Sequence, residues 1–407
     1  MQGKDFIVAE AEALTITNAV IGLDGHHRFI RLVTGETSVS LFPHRLQCLH
    51  MVGMPVRGED VTDSQAIQLL DDAWSIVGRV DQEGLLALGV NEQVDIVVVG
   101  AHGEACQLVH GSQSTHRRYL KLSTVAKERR IGMHVHTGRG LDKAVETIKA
   151  LQLGTVQIFT GNPSAWRSAP VDAQATEAFK RSLKALDVQP AMSHAMYLIN
   201  LAGPNPNFQK KSREALRAEL ERAEAYGCQY VVTHVGSHMG EGAQAGIDRV
   251  VAALDDVLSK AGGSAMVLLE TSAGGGAYVG ANFEDLAQIL GRLPQHAARL
   301  GVTLDTAHAY ASGHDVAGAE GMRTTLDQLT ATIPAERVRA CHCNDTTVTL
   351  GGKADRHVNI GKGNIGLEGF RTLLNYEPLG HCAFVLETPG EEMLEGRENL
   401  DALRSLL

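Results

Sequence analysis

The chain has 407 residues, 44% of them hydrophobic, enough for one large domain or two moderate ones with proper cores. Its net charge of −10 argues against a general nucleic-acid coat protein, but not against a DNA enzyme, because carboxylates that hold metal ions count as negative in that sum. No run of about 18 apolar residues predicts a membrane span, "MQGKDFIVAEAEAL" has no secretory pattern, and six scattered cysteines without a CxxC pair fit a reduced, cytoplasmic protein with buried thiols.

Residues 1–122 read as a small domain, α+β or β-rich. "RFIRLVTGETSVSLF" predicts two strands around a turn at Thr34–Thr37. "DSQAIQLLDDAWSIVG" predicts a helix with Asp63 or Ser64 as N-cap. "QVDIVVVGA" predicts another strand. No sequence feature assigns this domain a role or a protein partner. The basic stretch "THRRYLKLSTVAKERR" lacks clear apolar periodicity. The domain boundary falls in it, with 123–130 as a basic linker. A solvated linker is the plain reading of its charge, and a phosphate-contacting strap is the functional one.

From Ile131 onward short apolar runs alternate with amphipathic ones. "IGMHVH", "TVQIF", "PAMSH", "YVVTH", "MVLLE", "GVTLD", "VRACHC" and "AFVLE" are each followed by a helical pattern. Eight strand–helix units over 131–407 predict an α/β fold, a (β/α)₈ TIM barrel, with a doubly wound open sheet as the alternative.

Catalytic residues of such barrels sit at the C-terminal ends of the strands. Those ends carry His194, His234, Glu270, Asp305 (with His308 three residues on), His342 and Glu387, and the loop after the seventh strand carries Asp355 and His357. Any one of these has a bland reading: a buried histidine is usually a hydrogen-bonded core residue, and a strand-end carboxylate often caps the next helix. Six consecutive strands ending in His, Asp or Glu weaken that reading. Carboxylates crowded at low dielectric repel one another unless cations compensate. Asp355 and His357, two apart in an extended segment, point the same way. Cys341 and Cys343 face opposite to His342 and read as core. Imidazole and carboxylate without thiolate suit Zn²⁺, Mn²⁺ or Fe²⁺ in a catalytic role. Nine donors exceed one ion and suffice for three.

Seven motifs then occur in order: "YLINLA" after His194, "HVGSH" at 234–238, "LETSAG" at 269–274, "LDTAHAYASG" at 304–313, "HCND" at 342–345, "DRHVNIGKGNIG" at 355–366 and "LETP" at 386–389. With them the segment from about 131 to 407 resembles endonuclease IV, the metal-dependent apurinic/apyrimidinic endonuclease of base-excision repair. The resemblance implies three zinc ions, with Mn²⁺ or Fe²⁺ possible in part. Glu270 would bridge two of them; His194 and His234 would complete the first; Asp305, His342 and Glu387 the second; His308, Asp355 and His357 would hold the third. It implies hydrolysis of the phosphodiester 5′ to an abasic site in duplex DNA, with Glu270 orienting or deprotonating the nucleophile, a 3′-hydroxyl and a 5′-deoxyribose phosphate as products, and trimming of blocked 3′ ends. Such an enzyme would work in the cytoplasm, at the nucleoid.

One loop departs from the family. In "TGNPSAWRSAP" Trp166 and Arg167 remain, but Ser164 and Ala165 stand where a larger penetrating pair is expected. Tyr197 and Leu198 match the other wedge loop, for which rim packing is the plain alternative. For Arg356 a phosphate contact and a structural ion pair are both open. His238 reads as structural or supporting, His134 and His136 carry no assigned role, and "GGGAYVG" reads as a loop beside the site rather than a phosphate cradle. Two other classes remain: a sugar isomerase or epimerase of the xylose-isomerase type, needing only Glu270, Asp305, His342 and Glu387, and a non-catalytic lesion-binding protein.

Overall fold

The computed structural model describes residues 129–407 and, before them, the backbone of five strands. The chain divides into two compact units, Met1–Glu128 and Arg129–Leu407.

In the first unit β1 (Asn18–Asp24), β2 (His27–Thr34), β3 (Thr37–Leu41), β4 (Val97–Val99) and β5 (Ala105–Gln107) form one sheet in the order β3-β2-β1-β4-β5. β2 and β3 are antiparallel with Thr34 opposite Thr37, so the hairpin anticipated around that turn is present. β4 joins β1 in parallel. The helix expected at 63–78 and the basic segment up to residue 128 lie outside the described residues.

The second unit is a closed barrel of β6 (Arg130–Val135), β7 (Thr155–Ile158), β8 (Ala191–His194), β9 (Tyr230–His234), β10 (Met266–Glu270), β11 (Leu300–Asp305), β12 (Val338–His342) and β13 (Ala383–Leu386). Every strand pairs in parallel with its sequence neighbour, and β13 closes on β6 with Ala383 opposite Arg130, which excludes the open sheet. The first strand begins at Arg130, whose guanidinium pairs with Asp187 at 2.9 Å.

Helices wrap the outside because each carries one apolar face. Helix Pro206–Tyr226 shows the logic: the Asn205 side chain accepts the Asn207 and Phe208 N–H groups, Pro206 needs no N–H donor, and Gly227 ends it at φ 75°. Its buried positions Ser212, Ala215, Leu216, Glu219, Leu220 and Ala223 recur at helical spacing. Among the described residues no helix is long and apolar enough to cross a membrane.

The core has two parts. A large one lies between strands and helices and takes in Cys341 and Cys343, which face outward as the alternation requires. A small one fills the barrel interior with Met192, Val232, Leu268, Ala340, Ala383 and Val385.

Candidate metal centre at the barrel mouth

The interior plug fixes the address of the site. Side chains alternate along a strand, so two residues beyond Met192, Val232, Leu268, Ala340 and Val385 stand His194, His234, Glu270, His342 and Glu387, on the same inner face at the C-terminal mouth. β11 adds Asp305, which also N-caps the helix Thr306–Ser312: its Oδ1 accepts the His308 N–H at 2.8 Å. That cap turns His308 back over the mouth.

The donor atoms fall into three overlapping groups, each within 4.8 Å: His194, His234 and Glu270; Glu270, Asp305, His342 and Glu387; Asp305, His308 and His357. Asp355 joins the last, its Oδ1 lying 3.2 Å from Nε2 of both His308 and His357. His194 Nε2 and His234 Nδ1 are each 3.3 Å from Glu270 Oε2. His342 Nδ1 is 2.7 Å from Glu270 Oε1, 3.2 Å from Glu387 Oε2 and 3.6 Å from Asp305 Oδ2. Two donors about 2.0 Å from one tetrahedral zinc would stand about 3.3 Å apart. The repeated 3.2–3.3 Å separations therefore suit ligands around a common ion.

Hydrogen bonding points the same way. Nδ1–H of His194 donates to the Ala195 carbonyl at 2.7 Å, that of His308 to Thr271 at 2.8 Å, and that of His357 to Glu387 at 3.2 Å. A carbonyl can only accept, so Nε2 of each ring is left to present a lone pair. Nε2 of His308 and of His357 are buried without a hydrogen-bond partner among the described residues, although Asp355 is near both. Buried nitrogens beside a carboxylate, but without a hydrogen bond to it, fit a divalent ion between them. His342 is reversed: its Nε2 faces Gln157 Oε1 at 2.8 Å and its Nδ1 faces the carboxylates.

The charges are mutually dependent. Burial alone would raise the carboxylates and lower the imidazoles. Against burial, His234, His342 and His194 hold Glu270 well below the usual carboxylate range, and His308 holds Asp305 down. Conversely, burial notwithstanding, Asp305 and Asp355 hold His308, and Glu387 and Glu270 hold His342, well above the usual imidazole value. Without ions, protonated histidines carry the positive charge that the carboxylates demand; divalent cations would take over that charge and release the protons. Burial, only partly offset by Glu387, pushes His134 down to about 3, so that ring stays neutral.

All nine strand-end and loop donors singled out in the sequence come together here. The other singled-out residues sit at the rim or away from it. Tyr197 is exposed and packs edge-on against Phe159 and near His194, with Leu198 beside it half-buried. Arg356 and Arg167 are exposed, and Arg356 has no ion-pair partner among the described residues. Trp166 is half-buried against the core and lies beside Phe208 under Lys211. His238 lies within its own loop, its Nδ1 accepting the Gly240 and Gly242 N–H groups.

Three supporting residues escaped the sequence reading. Gln157 lies between His134, His342 and Glu387. Asn344 Nδ2 donates to Asp305 at 2.7 Å and to Glu387 at 3.3 Å, while its Oδ1 accepts the Glu387 N–H. Asp345, fully buried, accepts N–H groups from Thr346, Gly361, Gly363 and Ile365, and so anchors the loop that carries Asp355 and His357. A lone glutamine at an inward position of "TVQIF" was the available signal for the first.

Residues 145–406 match the family model described as xylose isomerase-like TIM barrel. Among curated proteins, "Probable endonuclease 4" of Chloroflexus aurantiacus is 39% identical over 280 residues, covering 68% of this chain and 98% of that protein. "Probable endonuclease 4" of Methanoculleus marisnigri is 37% identical over 279 residues, with the same coverage. Among solved structures, endonuclease IV from Thermus thermophilus superposes with a TM-score of 0.61 at 36% identity, covering 68% of this chain and 98% of that one. A D-tagatose 3-epimerase-like protein, at 18% identity and TM-score 0.54 over 68% of this chain and 96% of that one, shares the fold. With relatives of this identity covered almost end to end, the chain belongs to the endonuclease IV family.

Proposed function

We propose that this chain is a zinc-dependent endonuclease that hydrolyses the phosphodiester 5′ to abasic sites in duplex DNA, leaving a 3′-hydroxyl and a 5′-deoxyribose phosphate, and that it also trims blocked 3′ ends. The observation that carries the reading is the set of three overlapping donor groups at the barrel mouth, two of them sharing Glu270. His194, His234 and Glu270 would hold one ion, Glu270, Asp305, His342 and Glu387 a second, and His308, Asp355 and His357 a third. Bound there, divalent ions would supply Lewis acidity, both for a nucleophilic water at neutral pH and for the charge developing on the phosphate.

The chain's own residues do the rest. Glu270 turns one oxygen to each of the first two groups and is buried, so its carboxylate is fixed where a nucleophile must be oriented. Asn344 ties Asp305 and Glu387, which share a donor group with Glu270, to one another. Tyr197 and Leu198 at the rim would fill the stack behind an extruded nucleotide, which costs least where a base is already missing. Arg356 and Arg167, exposed, would contact phosphates, and Trp166 would brace the loop that presents Arg167.

An isomerase or epimerase is disfavoured because it leaves His194, His234, His308, Asp355 and His357 without work. The test is a duplex oligonucleotide with one synthetic abasic site, incubated with zinc-loaded protein, alongside metal analysis. Incision with about three ions per chain supports the proposal. Binding without cutting sinks the hydrolase, and one or two ions with no incision favour the isomerase class. An assay on 3′-blocked ends tests the trimming activity separately.

A further inference from the structure

Four of the site's ring orientations have simple causes or open ones. His194, His308 and His357 are each fixed by a backbone carbonyl, which no side-chain substitution removes, and no hydrogen bond fixes the ring of His234 among the described residues. His342 differs: what holds it is a side chain from the far side of the barrel, Gln157 on β7, 185 residues away in sequence.

The orientation of that amide follows from its neighbours. Gln157 is fully buried on the inner face. Its Nε2 lies 2.5 Å from Glu387 Oε1 and 3.1 Å from His134 Nδ1. An ionised carboxylate only accepts, so the amide NH₂ must face Glu387 and the amide oxygen must face His342. That oxygen also only accepts, so Nε2 of His342 must carry a hydrogen. The nitrogen left to bind an ion is then Nδ1, the one 2.7 Å from Glu270 and 3.2 Å from Glu387. The second NH₂ hydrogen is taken by His134 Nδ1, so both donors of the amide are used.

We propose that Gln157 is a positioning residue for the group formed by Glu270, Asp305, His342 and Glu387: it keeps the proton on His342 Nε2, so that Nδ1 faces the group, and holds Glu387 beside it. His134 backs the amide from β6 and stops it rotating. This rests on the reading that the group holds an ion. Gln157 would touch neither the ion nor the substrate, and would act through the two ligands.

The test uses full-length zinc-loaded protein. Gln157→Leu keeps the bulk and removes all three polar contacts; Gln157→Met is a second apolar version should the first fold poorly. Gln157→Glu keeps an acceptor for His342 but sets a carboxylate against Glu387. The readouts are competitive chelator titration of zinc and long-range ¹H–¹⁵N spectra of histidine-labelled protein, which report which ring nitrogen of His342 bears hydrogen. Both apolar variants are expected to melt cooperatively and to bind one of the ions roughly 10- to 100-fold more weakly, with His342 no longer uniformly protonated at Nε2. Gln157→Glu is expected to keep the Nε2 proton and still lose affinity through Glu387. Apolar variants with wild-type affinity for every ion and an unchanged His342 spectrum overturn the proposal and leave the metal reading intact. Wild-type protein that takes up no zinc overturns both.

Discussion

On β8, β9, β10, β12 and β13 the interior side chains Met192, Val232, Leu268, Ala340 and Val385 form an apolar plug, and one alternation step further along each strand stand His194, His234, Glu270, His342 and Glu387. The two rings share backbone and direction but differ in side-chain chemistry and in exposure, the lower being fully buried and the upper opening to solvent at His234 and Glu387. The lower ring is held by non-directional burial, which tolerates any shape of similar volume. The upper ring has no such freedom, since each group there is expensive to bury alone and is kept only by partners with fixed donor and acceptor roles. Stability and function are thus stacked in one barrel, about one strand repeat apart, and substitutions should separate them.

The largest effect is expected from breaking the upper ring at its shared member. Glu270→Gln removes the carboxylate common to two donor groups. Incision of an abasic duplex should fall by on the order of 10³-fold or more, and metal analysis should show the first two ions lost or weakened, with the chain still folded. Unchanged incision would remove Glu270 from the mechanism.

Breaking the lower ring should do the converse. Leu268 is fully buried in the plug, and Leu268→Ala should cost about 3 kcal/mol by urea unfolding while leaving zinc content and the rate per folded molecule close to wild type. A matching loss of zinc would show that the two rings are mechanically coupled rather than merely adjacent.

How much of this was legible in the sequence follows from the same contrast. The plug and the strand-end donors obey period-two alternation, so "YVVTH" and "MVLLE" announce both a buried strand and a polar end, and the barrel and the nine donors can be read together. The supporting groups obey no local rule. Asn344 and Asp345 stand two and three residues after His342, but what they hold lies up to 43 residues away. Gln157 matters because β13 closes on β6, with β7 beside it, a fact of topology that no window of sequence contains. The glycines of "NIGKGNIG" read as turn-formers, which suits Gly361 and Gly366 at φ 75° and 73°. Gly363 has a different cause: a Cβ there would lie 2.3 Å from the Asp345 carboxylate.

That carboxylate offers a smaller perturbation of the upper ring alone. Asp345→Asn replaces an acceptor of four N–H groups by an amide that can serve them from one oxygen only. The expected cost is about 2 kcal/mol, felt locally. Amide exchange at Gly361, Gly363 and Ile365 should quicken, and the ion assigned to His308, Asp355 and His357 should bind more weakly while the other two are retained. Direct removal of that ion by Asp355→Ala or His357→Ala should give the same metal count without slowing or quickening those amides. If exchange at the three amides is unchanged in Asp345→Asn, the anchor is elsewhere.

The smallest effect is a pH dependence whose sign differs between the metal-free and metal-loaded protein. Burial disfavours the charged form of His357, but Asp355 and Asp305 hold it up to about 9 in the metal-free state. A pKa raised on folding adds stability that is fully present below the unfolded value, about 6.5, and is lost as pH rises through about 9. Chelated protein should therefore lose stability between these limits, by on the order of 1 kcal/mol, since solvent at the half-exposed Asp355 screens the pair. On the proposed reading zinc would displace the same proton, so its affinity should rise over that window and level off above it. Urea unfolding and zinc titration at about pH 6.5, 8 and 9.5 read both slopes. Opposite slopes place proton and ion in competition for one imidazole; parallel slopes would show that His357 is not where the ion binds.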